Sequence, residues 1–377
     1  MNILVINDFV VGGGVENVMY QLVQYLYRRE NVTVLSIYNQ TEAFERIYPA
    51  EVKYYPFFMK RYKHRKYKRW SVKWIKNKVL EKLPCFWLRL KKYDVVLALK
   101  EGDAMKLGAK FRAKKRYSWV HVDYRFLYWT KCCFKSAENE VRYMMKYDKV
   151  VCVSNAAKES VCKVIGNPGN LTVRFNPINV DDVLERGMKT PDFLNAYLKK
   201  RGKKCPVLVT VGRMSEQKGY MRLLDACERL NEKFDYELWI VGDGELREEI
   251  EKKIRENNLH NVVLWGNQEN PFPFIKRANW FVCSSFWESY GLALQEALVL
   301  GVPVLATSCP AFEECVNKDE AILVPNTFEA LYEGLYQILE SGNLETEYRQ
   351  RIRKDRTQEN MFTSRLREIE ALWRENE

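Results

Sequence analysis

The chain has 377 residues, 47% of them hydrophobic and 29% charged, so it is long enough to bury a large core and to divide into about two domains. No run of about eighteen apolar residues occurs, which excludes a membrane-spanning helix, and three scattered histidines (His64, His121, His260) exclude a histidine-rich metal site. The net charge of +12 is concentrated in one place: residues 60–92 carry fourteen lysines and arginines against the single acid Glu81, which leaves the remainder about neutral.

In chain order, Met1–Asn7 is too short for a secretory apolar region and reads as a first strand over Ile3–Ile6. It runs into Gly12-Gly13-Gly14-Val15-Glu16. A periodic helix follows with Val18, Met19, Leu22, Val23 and Leu26. The glycines let backbone amides approach an anion or a sugar, and a plain turn is the competing reading. The Gly-x-Gly-x-x-Gly dinucleotide fingerprint is absent. Further strands are expected at Val32–Ile37, Val95–Leu99, Tyr117–Val120 and Val150–Val153, alternating with helical patterns, which specifies an α/β domain with a largely parallel sheet.

Within the basic segment, Lys60–Trp70 interleaves cations with aromatics. Val72, Ile75, Val79, Leu83, Phe86 and Leu90 then recur at helical spacing, with Pro84 expected to interrupt or restart the helix. A basic amphipathic helix of this kind can lie in an anionic membrane interface. Docking of the apolar stripe on the first sheet and binding of nucleic acid are its rivals. The ten cysteines show no C-x-x-C spacing and read as reduced core residues.

Asn176-Pro177, within Phe175–Val180, is a turn signal and is taken as the hinge. The polar run Asp181–Lys204 should pack outside. Pro206–Val211 is then the first strand of a second α/β domain, followed by Arg213, Lys218 and Gly219. Cations just past a strand end sit where ligands collect in such sheets, and both can grip phosphate oxygens. Trp239–Gly242 and Val262–Gly266 read as further strands.

The most informative stretch lies between the apolar runs Trp280–Ser285 and Gly301–Ala306. It is Glu288-Ser289-Tyr290-Gly291-Leu292, opening a helix that carries Glu296. Amides around Gly291 and Leu292 at the helix mouth favour a phosphate. Glu288 and Glu296 can accept hydrogen bonds from vicinal hydroxyls. Beyond Phe328 the pattern is helical, ending with Met361, Phe362, Leu366, Ile369, Leu372 and Trp373 at docking spacing.

The stretch from Glu288 to Ala306, with its two carboxylates eight apart, resembles the signature of the family 4 retaining glycosyltransferases. The likeness continues through Val211–Gly219, Trp239–Arg247 and Val263–Gly266, and covers most of residues 205–325. It implies the GT-B fold: α/β, with two Rossmann-like domains facing across a central cleft and a C-terminal helix crossing back to the first. The expected boundaries are 1–177 for an acceptor-binding domain containing the basic segment, 178–355 for a nucleotide-sugar domain and 356–377 for the terminal helix.

By the same resemblance, Glu296 holds the nucleotide ribose, Glu288 the donor sugar, and Arg213 and Lys218 the diphosphate, with Ser289, Tyr290, Gly291 and Leu292 forming the helix-mouth pocket. Gly13, Gly14 and Glu16 match the family's Gly-Gly-x-Glu loop, and His121 falls where a functional histidine often stands. Two departures are visible: Val122 replaces the usual companion of that histidine, and Pro310-Ala311 stand where a glycine pair is common.

The implied activity is metal-independent transfer, with retention, of a sugar from a nucleotide diphosphate to an acceptor hydroxyl. The donor is a co-substrate and no cofactor is needed. A uridine diphosphate sugar is favoured and a guanosine diphosphate sugar is the alternative. The expected acceptor is a glycan or polyprenyl-linked glycan of bacterial capsule, exopolysaccharide or lipopolysaccharide assembly. The expected location is cytoplasmic, peripheral on the inner face of the plasma membrane through residues 60–92, without nucleic acid. A weakly catalytic nucleotide-sugar-binding subunit, or a glycoside hydrolase using Glu288 and Glu296, are the competing functions.

Overall fold

The computed structural model describes residues 1–9, 13–38, 47–56, 83–202, 205–355 and 360–374. Most of the basic segment, including Lys60–Trp70 and the stripe members Val72, Ile75 and Val79, lies outside the described residues, as do Gly12 and Glu81. The chain divides into two compact units: Met1–Pro177 together with Thr363–Glu377, and Ile178–Phe362.

The first unit is built on a parallel sheet of β1 (Asn2–Asn7), β2 (Asn31–Ser36), β3 (Lys53–Pro56), β4 (Lys92–Ala98), β5 (Arg112–Val120), β6 (Lys149–Cys152) and β7 (Leu171–Val173). Their order is β3-β2-β1-β4-β5-β6-β7. Ile3 is in register with Val32 on one side and Val95 on the other. Helices cover both faces of such a sheet, so its central strands read as continuous apolar runs; after Asn2, every residue of β1 is buried. The strand β5 begins five residues before the expected Tyr117. Its first half, Arg112–Arg116, carries four cations on exposed or half-buried positions, and the hydrophobic pattern is silent there although the residues pair with β4. The strands β3 and β7 went unpredicted because they are short edge strands, of four and three residues.

The terminal helix, Asn360–Arg374, belongs to this unit from Thr363 onward. Leu366, Ile369 and Trp373 are buried. The Trp373 ring lies 5.7 Å from that of Tyr117, whose hydroxyl donates to the Leu372 carbonyl. The Tyr25 hydroxyl donates to Glu370 at 2.7 Å. Pro84 stands within the helix described over Leu83–Leu90. Leu88 of that helix is in the core, whereas Trp87 and Leu90 are 66% and 53% exposed, so Leu90 of the expected docking stripe faces solvent.

The second unit holds a parallel sheet of β8 (Val207–Val211), β9 (Glu237–Val241), β10 (Val262–Gly266), β11 (Trp280–Cys283), β12 (Val304–Thr307) and β13 (Ala321–Val324), in the order β10-β9-β8-β11-β12-β13. The order reverses on either side of β8. The crevice beyond the carboxyl ends of β8 and β11 is therefore the topological switch point where open α/β sheets bind ligands. The core beneath it is formed by Leu208, Leu238, Ile240, Trp280 and Val282 with the Tyr220–Leu230 and Phe328–Glu340 helices. Among the described residues, no helix is long and apolar enough to cross a membrane.

Candidate functional site

At the switch point, two loops meet. After β8 the chain makes a short 3-10 turn over Glu216–Lys218 and enters the Tyr220–Leu230 helix through Gly219. Gly219 has φ +63°, and a Cβ there would lie 2.1 Å from the Ser284 carbonyl oxygen, so only glycine lets the β8 and β11 loops pack this closely. The close approach brings Lys218 Nζ to 2.6 Å from Glu288 Oε1. Both groups are largely buried, at 22% and 9% side-chain exposure. Ser285 Oγ donates to the same carboxylate oxygen at 2.8 Å, and Gln217 Nε2 approaches the other at 3.4 Å. Burial works to lower the Lys218 pKa, but the Glu288 carboxylate outweighs it and the group ends above its ordinary value, held as a cation.

The β11 loop then opens the Leu292–Val299 helix at Gly291, which is left-handed with φ +80°. A side chain on Gly291 would strike the Phe312 ring at 2.2 Å. A cavity of about 20 Å³, lined by Thr210, Lys218, Ser285, Glu288, Gly291 and Phe312 among others, lies between the two loops. The first amides of a helix lack intrahelical acceptors and carry its positive dipole end. This mouth therefore offers an anion one buried ammonium plus backbone donors, beside a carboxylate that accepts from hydroxyls.

Tyr290 is buried and Ser289 and Leu292 are half-buried. Glu296, one turn inside the helix, is half-buried, and burial pushes its carboxyl up to about 7, with Arg186 opposing and Asp182 reinforcing the rise. Glu296 does not line the small cavity, nor does Arg213. Arg213 leaves the end of β8 for solvent, 74% exposed, and pairs with the exposed Glu245 at 3.0 Å.

Sequence reasoning missed Arg222. Its guanidinium, 8% exposed by residue, donates to the carbonyls of Ser284 and Ser285 and to Thr307 Oγ1, and lies 4.0 Å over the Phe286 ring. It fixes the strand-end loops that carry Ser285 and Glu288. An arginine inside the otherwise apolar Tyr220–Leu224 run was the available signal.

In the first unit, the predicted residues follow adjacent strand ends. Gly13 is the exposed residue preceding the Gly14–Leu26 helix, and Glu16 in its first turn lies 4.0 Å from Lys100 Nζ. Lys100 also pairs with Asp8 at 3.3 Å, and burial pushes the Asp8 carboxyl up to about 6 against that ammonium. His121, directly after β5, donates its backbone N–H to Glu101 Oε2 at 2.9 Å. Burial lowers its ring pKa to about 4, so the imidazole is neutral, and its Nε2 is buried without a hydrogen-bond partner. Asp8, Lys100 and Glu101 were missed. Asp8 directly follows β1, and Lys100 and Glu101 stand just past the end of β4, where ligands collect in such sheets. Among the described residues, no group of three or more histidines, cysteines or carboxylates could hold a metal ion.

Two α/β units, each built on a parallel sheet, are the ingredients of the GT-B fold. Solved structures share it: Anabaena HepE in complex with UDP and glucose has a TM-score of 0.78 at 15% identity, covering 98% of both chains. WaaG, a glycosyltransferase involved in lipopolysaccharide biosynthesis, has a TM-score of 0.66 at 16% identity, covering 99% of this chain and 100% of that one. The family model "Glycosyltransferase Family 4" matches residues 12–182 and "Glycosyl transferases group 1" matches residues 197–355. The chain belongs to the family 4 glycosyltransferases.

Among curated relatives, it is 38% identical over 135 residues to an uncharacterised glycosyltransferase of Methanocaldococcus jannaschii, spanning 35% of this chain and 33% of that protein. It is 25% identical over 224 residues to the N-acetylgalactosamine-N,N'-diacetylbacillosaminyl-diphospho-undecaprenol 4-alpha-N-acetylgalactosaminyltransferase of Campylobacter jejuni, 57% and 58% respectively. The matches thus span from a third to under two thirds of the length of these relatives.

Proposed function

We propose that this protein transfers a sugar from a nucleotide diphosphate donor to an acceptor hydroxyl in surface-polysaccharide assembly, with retention at the anomeric carbon and without a catalytic metal. The observation that carries the reading is the Lys218–Glu288 pair at the mouth of the Leu292–Val299 helix. Negative charge develops on the departing diphosphate, and a fixed ammonium with helix-mouth amides stabilises it in a water-poor pocket. Glu288 accepts from hydroxyls of the sugar. Glu296 accepts from the ribose. Arg213, once released from its exposed partner Glu245, adds a second cation to the diphosphate. His121 presents a neutral ring with an open acceptor nitrogen, suited to positioning a hydroxyl. Gly13, Gly14 and Glu16 contribute to binding of the nucleotide-sugar donor.

The uridine donor is supported by HepE, which was crystallised with UDP and with UDP-glucose. A polyprenyl-linked acceptor is supported by the Campylobacter relative, whose name specifies a diphospho-undecaprenol substrate. Contact with an anionic membrane surface is supported by the charge of residues 60–92 and by the exposed Trp87 and Leu90 at the end of that segment. The test is a screen of sugar nucleotides against free and lipid-linked glycans, with product mass and anomeric configuration read by mass spectrometry and NMR. Hydrolysis of the donor without a glycosylated product, or a product of inverted configuration, would overturn the reading.

A further inference from the structure

Of the nine cysteines whose side chains are described, all free, Cys132 is the exposed one. It departs from the expectation that the cysteines are core residues. Its neighbour in sequence, Cys133, is half-buried, and the two sulfurs are 4.0 Å apart. The pair closes the 3-10 turn Trp129–Cys132, with the Cys132 thiol 3.0 Å from the Trp129 carbonyl oxygen. Cys133 is held from behind. Its carbonyl accepts from Lys106 Nζ at 2.5 Å, and its sulfur packs on Gly102, where an added Cβ would lie 3.2 Å from it.

We propose that Cys132 and Cys133 form a thiol–disulfide exchange site that a low-molecular-weight disulfide closes into a reversible bridge. The Cys132 thiolate attacks one sulfur of the reagent, forming a mixed disulfide and releasing one thiolate. Cys133 then loses its proton to solvent and attacks Cys132 Sγ, which expels the second reagent thiolate. Two protein thiols are oxidised and one reagent disulfide is reduced to two thiols, so atoms and electrons balance.

The roles follow from the geometry: the exposed sulfur meets the reagent and the sheltered one, already in van der Waals reach, resolves it. Burial pushes the Cys133 thiol up to about 12, so closure is the slow step and quickens with pH. A trans peptide keeps neighbouring Cα atoms about 3.8 Å apart, below the roughly 4.4–6.8 Å usual for disulfides. The bridge is therefore strained and readily reduced, as a reversible site requires. Closure also reaches beyond the turn, because the Trp129 indole donates to Glu101 Oε1 at 2.9 Å while Glu101 Oε2 accepts from His121 N.

The test treats the folded, full-length protein with oxidised glutathione and maps the thiols by mass spectrometry. It also follows the Trp129 indole N–H by NMR, assigned with Trp129→Phe. The expected result is a Cys132–Cys133 peptide lighter by two hydrogens, formed about tenfold faster per pH unit in the alkaline range and reversed by dithiothreitol. The Trp129 signal shifts in the wild type and stays in place in Cys132→Ser. In Cys133→Ser the glutathione adduct on Cys132 should persist. An unmodified pair, a lasting glutathione adduct in the wild type, or preferential oxidation at other cysteines would overturn the proposal. None of these readouts depends on the transferase activity.

Discussion

Glu296→Gln tests how the site holds a nucleotide. In the folded chain, burial raises the Glu296 carboxyl from 4.5 to about 7. At roughly 1.4 kcal/mol per unit, holding it ionised above pH 7 costs at most about 3.5 kcal/mol. The folded state binds the proton more tightly than the unfolded one. Stability from this group is therefore complete in acid, below 4.5, and is lost as pH rises through the 4.5–7 window. Gln removes that loss, so the variant should be the more stable protein at pH 8.

Binding should run the other way. If ribose hydroxyls donate to the carboxylate, the donor selects the ionised form and binding releases a proton below pH 7. Affinity of the wild type for an intact uridine diphosphate sugar should tighten by up to about tenfold per pH unit between pH 5.5 and 7, then level off. The intact donor is the right probe because its diphosphate is esterified at both ends and has no proton to lose in this range. Gln forfeits charge-assisted hydrogen bonds of about 1.5–3 kcal/mol, so at pH 8 it should bind on the order of ten- to a hundredfold more weakly. The gap should narrow toward pH 5.5. Calorimetric titration across pH, in buffers of different ionisation enthalpy, reads affinity and proton release together. Wild-type affinity independent of pH, with Glu296→Gln binding equally well at pH 8, would refute the reasoning.

Lys218→Met strands the Glu288 carboxylate in a mostly buried position and should cost about 3 kcal/mol in urea unfolding, with part recovered in the double variant with Glu288→Gln; a full additive loss would contradict the pairing. Gly291→Ala should lose about 1–2 kcal/mol from its left-handed backbone alone and more from the Phe312 ring, with Phe312→Leu restoring only the second share. His121→Asn should flatten the acid limb of stability: the folded ring titrates at about 4 against an ordinary 6.5, so the wild type loses stability as pH falls through that window. Asp8 and Glu296 oppose this slope, and the variant must therefore be compared with the wild type at each pH. Trp373→Ala should destabilise the first unit by about 3–5 kcal/mol through the cavity left against Tyr117, read by thermal or urea unfolding.

Much of the second unit could be read directly from the chain. Val207–Val209, Trp239–Val241 and Trp280–Cys283 are buried on both faces, and a strand of that kind announces itself as an unbroken apolar run. Gly291 and Gly219 were legible for a related reason: their backbone demands leave no other residue type. Side-chain direction was not legible in the same way. Arg213 and Lys218 look equivalent as cations after β8, yet one turns to Glu245 in solvent and the other to Glu288 inside. Nothing in their spacing encodes that choice, because a loop's path depends on contacts with the β9 and β11 loops, such as the Met214 N–H to the Asp243 carbonyl. Arg222, Lys100 and Glu101 were passed over because buried charges satisfied by distant partners leave no periodic trace.

The most direct measurement is a crystal structure of the full chain soaked with uridine diphosphate. The diphosphate should lie against Lys218 Nζ and the amides of Gly291 and Leu292, with the ribose hydroxyls on Glu296. A nucleotide seated elsewhere, with the Lys218–Glu288 mouth left vacant, would contradict this placement.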